Sequence, residues 1–303
     1  MKKIAFLILA HTDVEQLHRL IYALDDNRFD IYVHVDKKKN LDEFNLNRLL
    51  MKAGLLYVCS ERYEVIWGDI SIVDATLAMY AQARKNFDYS RYVTLSGLDY
   101  PIMSNDQLYS ELCTSATEFI GGGQLEDRAF MRVDWPFFWR NPLGFQISRH
   151  IVGNKLAYRI ITMLRRNKHK SLQIDGKNAM IYFAPQWHAL SGVFVKYMLE
   201  IVLRNPQIHS YFKHSFAPDE MLIPTILFNS EYSNYATTFS IKQHYNDMAV
   251  THYLNYGAKV QIFDEKNYGD IINSKKMFVR KVASGKSEKL IDMLNEYRNN
   301  EDA

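Results

Sequence analysis

The feature that most constrains this chain is the alternation, over its first third, of short apolar runs with segments of helical periodicity. Residues 4–9 (IAFLIL) form an unbroken apolar run, the pattern of a strand buried on both faces. Thr12 or Asp13 can cap a following helix that sets Leu17, Leu20, Ile21 and Leu24 on one side. Residues 30–36 (DIYVHVD) read as a second strand and 41–51 as a helix. A third strand at 55–59, a long helix at 70–84 and a fourth strand at 91–96 (RYVTLS) follow. Strands separated by helical crossovers predict an α/β fold with a mostly parallel sheet flanked by helices. In open sheets of this kind, ligands bind beyond the carboxyl ends of the strands. Those ends carry His11, the stretch from His34 to Lys37, and the stretch from Ser96 to Asp99.

Beyond residue 120 the alternation stops. Gly121, Gly122 and Gly123 read as a flexible or phosphate-approaching loop. Residues 135–140 (WPFFWR) are an aromatic cluster, and 147–164 read as a helix running into the basic stretch 165–170 (RRNKHK). Helices are expected at 194–203, 219–227 and 286–297, with short strands and loops over 235–263. No internal repeat is visible. The expectation is one composite domain over 1–303, with a nucleotide-binding half (1–123) and an acceptor-side half (124–303).

Composition excludes several classes. Apolar residues make up 48% and charged residues 23% of 303, ordinary values for a globular chain. A net charge of +3 gives no concentrated basic face for nucleic acid. The two cysteines, Cys59 and Cys113, form no disulfide framework or metal spacing and fit a reducing compartment. Lys2 and Lys3 precede an apolar run too short for a secretory leader, and no cleavage-site pattern follows. No stretch approaches the roughly 20 apolar residues of a membrane span. A cytoplasmic protein is expected, with residues 135–170 as a basic, aromatic patch suited to peripheral contact with the inner face of the plasma membrane.

The glycine-rich dinucleotide and P-loop motifs are absent, as is the GxSxG elbow. The remaining common owner of such a sheet is a nucleotide-sugar transferase. Many of these hold a divalent metal on an Asp-x-Asp triplet, and this chain has none. His34 and Asp36 form the nearest substitute. They could ligate Mn²⁺. Alternatively, His34 is hydrogen-bonded within the sheet and Asp36 contacts a nucleotide, the reading we prefer. In the stretch Ala217-Pro218-Asp219-Glu220, Pro218 suits a first helical turn, which sets both carboxylates near the positive end of a helix dipole. This is either ordinary capping or a general base facing a cleft. Arg280 and Lys281 follow an apolar run. They are either a solvated pair or the positive charge that a departing diphosphate requires.

The segments LILAHTDVEQLHRLI, IYVHVDKK, WGDISIVDATL, YVTLSGLDYPI, QWHALS, APDEMLIPTIL and KKMFVRK occur in this order between residues 7 and 281. Together they resemble the core-2/I-branching family of β-1,6-N-acetylglucosaminyltransferases, which includes the peptide O-xylosyltransferases. The resemblance implies a GT-A-type fold, inversion at the anomeric carbon and catalysis without a bound metal or other cofactor. It gives Glu220 the catalytic role, although the family's Ser-Pro-Asp-Glu block here begins with Ala217. It places Lys281, with Arg280 or Lys259, on the diphosphate. His11, His34, Asp36, Ser96 and Asp99 fall on the nucleotide-binding edge, and Trp67, Trp187 and Asp219 on the sugar and acceptor side. The implied partners are a UDP-sugar, UDP-GlcNAc first and UDP-xylose second, and a glycan acceptor that could be lipid-linked. A bacterial-type member would act in surface polysaccharide assembly. The alternative from another class is a non-catalytic glycan- or nucleotide-binding module on the same fold.

Overall fold

The computed structural model describes residues 2–125, 171–213, 215–240, 244–257 and 260–301. The aromatic cluster at 135–140, the helix at 147–164, the basic stretch at 165–170 and Lys259 lie outside these residues.

The expected alternation is present. Strands β1 (Ile4–Ala10), β2 (Phe29–Val35), β3 (Leu55–Val58) and β4 (Arg91–Ser96) are parallel neighbours in the order β3-β2-β1-β4. Nearly every residue of β1 and all of β2 and β4 are buried, as a sheet covered on both faces demands. Helices α1 (Val14–Ala23), α2 (Ser71–Asn86) and α3 (Asn105–Thr114) cover the sheet. Asp13 caps α1 by accepting the Gln16 amide at 3.2 Å. Ser104 and Gln107 close a capping box on α3.

Past β4 the chain adds antiparallel pairings to the sheet. After the short β5 (Asp99–Pro101), β6 (Glu118–Gln124) extends the sheet on the far side of β10 (Ala189–Ser191), which runs antiparallel to both β4 and β6. β7 (Gln173–Ile174) and β8 (Lys177–Asn178) form a small hairpin, and β9 (Tyr182–Phe183) pairs with β6. β11 (Ala236–Thr238) adds an outer strand. The result is the mostly parallel α/β sheet flanked by helices that the sequence led us to expect. A second small sheet joins β5 to β12 (His252–Leu254) and β13 (Phe278–Arg280), in the order β12-β13-β5. Behind it, Tyr100, Ile102, Val279 and Val282 pack against the helix Glu288–Glu301 through Leu290 and Leu294.

Three expectations need correction. Residues 41–51 form two single 3₁₀ turns, Asp42–Phe44 and Leu46–Arg48, in place of a helix. They meet at Asn45, whose left-handed backbone (φ 48°) breaks helical progression. The triple glycine is part of strand β6 and not a loop. A Cβ at Gly121 would come within 2.4 Å of the Phe239 ring, and one at Gly122 within 2.2 Å of Phe228. These glycines admit aromatic rings, not a phosphate. The helix expected at 219–227 is divided into a 3₁₀ turn, Pro218–Glu220, and the fully buried helix Leu222–Phe228.

Candidate active site

A cleft of about 460 Å³ opens at the carboxyl ends of β1, β2 and β4. From the amino half it is lined by His11, His34, Asp36, Trp67 and Ser96, and from the carboxyl half by Trp187, Asp219, Glu220, Arg280 and Lys281. These ten are expected site residues, drawn from segments far apart in sequence. Asp99 and Lys259 are the exceptions. Lys259 lies outside the described residues. Asp99 has no exposure at all and does not line the cleft. Its carboxylate is enclosed by protein donors, so it reaches the cleft only through Arg280.

The turn that carries Glu220 is locally determined. Ala217 adopts a left-handed backbone (φ 53°, ψ 60°), and its amide donates to the Gly68 carbonyl at 3.0 Å. Pro218 then opens the 3₁₀ turn, and the buried helix behind it anchors the segment. The Glu220 carbonyl accepts the Ala184 amide at 2.9 Å, and its carboxylate Oε1 accepts the Tyr245 hydroxyl at 2.9 Å.

The same cleft is lined by a fixed cation. Arg280 donates Nη1 to Asp99 Oδ1 at 2.7 Å, and its guanidinium carbon sits 4.4 Å from the Trp187 ring centroid. Asp99 Oδ2 also accepts the Ser96 amide at 2.7 Å and lies 3.2 Å from His252 Nε2. Burial alone would raise the Asp99 carboxyl, but Arg280 and these hydrogen bonds outweigh it and hold it below the usual range. Burial pushes His252 down despite its bond to Asp99, so the contact is a hydrogen bond from a neutral imidazole. Lys281, half-buried beside Arg280, is pushed down by desolvation and then by its cationic neighbour. An anion brought between them would relieve both effects.

On the amino side of the cleft, His34 Nε2 accepts the Tyr63 amide at 2.9 Å. That leaves its proton on Nδ1, and burial lowers its pKa. The nitrogen is thus engaged within the fold, as in the reading preferred from sequence. Asp36 accepts the Lys38 amide at 2.9 Å and pairs with its Nζ at 3.0 Å. His11, at the mouth, is lowered first by burial and is coupled to Asp36, Lys281 and Arg280. Trp67 is 55% exposed, with its ring edge-on to Phe216 at 5.4 Å. Trp187 is instead buried and supports Arg280, so its face is used by protein.

Sequence reasoning missed Tyr245, Phe216 and Tyr256, which also line the cleft. They sit in no motif and on short elements with no periodic signal.

A family model described as Core-2/I-Branching enzyme matches residues 4–135. Those residues are similar to that family's model. The resemblance read from the ordered motifs is thereby borne out. Among curated relatives, the chain is 24% identical over 246 residues to Xylosyltransferase oxt of Drosophila pseudoobscura pseudoobscura, covering 76% of this chain and 24% of the relative. It is 25% identical over 236 residues to Xylosyltransferase 1 of Canis lupus familiaris, covering 75% and 22%. The chain thus spans about a quarter of the length of these relatives. A crystal structure of mouse Xyloside xylosyltransferase 1, apo form, aligns over 79% of this chain and 85% of its own, with 9% identity and a TM-score of 0.38. That likeness is too distant to bear on the site. Among the described residues, no helix is long and apolar enough to cross a membrane.

Proposed function

We propose that this chain is an inverting glycosyltransferase that moves a sugar from a UDP-sugar to an acceptor hydroxyl, with Glu220 as general base. The observation that carries the reading is one cleft, beyond the sheet's strand ends, lined together by Glu220, Arg280 and Lys281. The acceptor oxygen attacks the anomeric carbon as Glu220 takes its proton. The bond from that carbon to the diphosphate breaks on the opposite side, and its electron pair leaves with UDP. Arg280, fixed by Asp99 and Trp187, and Lys281 meet the charge that grows on the diphosphate. Because Asp99 and Trp187 hold Arg280, little reorganisation of that cation is required in the transition state.

The proposal includes metal independence. It is supported by the hydrogen bond that occupies His34 Nε2 and by the Lys38 pairing of Asp36, which leave this pair poorly suited to grip Mn²⁺. UDP-GlcNAc is the donor first expected from the motifs, but both relatives named above are xylosyltransferases, which favours UDP-xylose as the second donor. The acceptor proposed is a glycan, lipid-linked or free, in bacterial surface polysaccharide assembly on the cytoplasmic side.

A thermal-shift screen over UDP-sugars, followed by UDP-release assays with excess EDTA, tests the reading. Stabilisation by one UDP-sugar and transfer that survives chelation are expected. Loss of transfer with EDTA and its return with Mn²⁺ would make His34 and Asp36 metal ligands. Binding without UDP release across a broad acceptor panel would favour the non-catalytic module.

A further inference from the structure

Tyr245 belongs to no motif, yet its hydroxyl donates to Glu220 Oε1 at 2.9 Å. It opens the four-residue helix Tyr245–Met248, whose first turn is capped by His244. Its ring stands 6.1 Å from Phe183 and 5.3 Å from Tyr256, and it packs on the cluster of Trp187, Ala249 and Leu254. A phenol has two side-chain torsions, and this packing restricts both. Burial, and then the charge of Glu220, push the hydroxyl well up, so it stays protonated and remains a donor. Asp219 and Arg280 are the other charged groups that act on it, and His11, Asp36 and Lys281 share the cleft.

We infer that Tyr245 is a positioning residue for Glu220: its O–H holds the carboxylate plane in the orientation from which it accepts the acceptor's proton. The inference rests on the reading of Glu220 as base. A hydrogen bond donated to the ionised form also favours that form, so the base is kept ready at lower pH than an unassisted glutamate. When the acceptor hydroxyl gives up its proton, one carboxylate oxygen gains it and Tyr245 keeps its own. The phenol orients and does not relay.

Tyr245→Phe removes the hydroxyl and keeps the ring contacts. Protein labelled with ¹³C at glutamate Cδ is titrated by NMR, with the Glu220 signal assigned by its absence in Glu220→Gln. In Tyr245→Phe the Glu220 midpoint should rise by roughly half to one pH unit. With UDP-GlcNAc or UDP-xylose, kcat should fall about tenfold while the donor KM is unchanged. An unchanged midpoint overturns the inference, as does a loss confined to donor KM. A Glu220→Gln enzyme with wild-type turnover would sink the base assignment instead, and the titration would still report on the hydrogen bond.

Discussion

The two walls of the cleft are built by different means. On the amino side, His34, Asp36 and Ser96 sit at the ends of long parallel strands, each placed by its own strand and the neighbouring ladder. On the carboxyl side, Glu220 sits on a three-residue turn, and Arg280 on a three-residue strand. Their own short elements do not by themselves aim the side chains. Arg280 is set by Asp99, 181 residues earlier, and Glu220 is held by Tyr245 and by the anchored helix behind it. A regular sheet supplies a stable edge at little cost in strain. Glu220 and Arg280 sit on short elements whose side chains are fixed by contacts elsewhere in the chain.

Breaking the carboxyl wall should therefore abolish chemistry without unfolding the sheet. Glu220→Gln should lower turnover by at least about 10²-fold while UDP binding, read by calorimetry, persists. A near-wild-type rate would shift the base to another group, with Asp219 the nearest. Next in size is the tie between the walls. Asp99→Asn leaves the buried guanidinium of Arg280 without its counter-charge, and such losses cost about 3 kcal/mol. Thermal unfolding should register that cost, and UDP affinity should fall with it. Unchanged stability and affinity would mean that Arg280 is placed by Trp187 alone.

The smallest effect sharpens the comparison from the sheet's interior. His188, next to β10, is fully enclosed beside Tyr80, and burial pulls its pKa from 6.5 to about 3. The unfolded chain therefore takes up this proton first as pH falls. Stability from this group is full above pH 6.5 and declines toward pH 3. The slope is up to about 1.4 kcal/mol per pH unit for one histidine. His188→Gln should flatten the pH dependence of urea unfolding between those limits. A variant with the wild-type slope would assign the effect to the other buried histidines, His34 and His252.

Legibility in the sequence follows the same division. The strands of the amino half were readable because an apolar run has the period of the structure it forms. His11, His34, Asp36 and Ser96 could be placed on the cleft because a parallel strand ends where its ligands bind. Glu220, Arg280 and Lys281 became site residues through ordered motifs, since a Pro-Asp-Glu turn and a basic pair are common on surfaces. Asp99 was assigned to the nucleotide edge because it follows the carboxyl end of a strand and lies in one of the ordered motifs. The pairing of β5 with β13 buries it, and that pairing spans most of the chain. Tyr245 had no signal, because a hydrogen bond between two irregular segments leaves no periodicity.

The order in which such a chain leaves the ribosome gives the Arg280–Asp99 contact a further meaning. The amino end of a chain is made first. Strands β1 to β4, which carry His34, Asp36 and Ser96 at their ends, are therefore complete while the rest is still being made. The cation that completes the cleft arrives only with β13, and Ser284 then ties back to Asp13, 271 residues upstream, through its amide at 2.9 Å. A partly made chain can thus hold its strands but lacks Arg280 and Lys281 in the cleft until synthesis has passed β13. On the proposed function, an unfinished molecule would therefore be inactive.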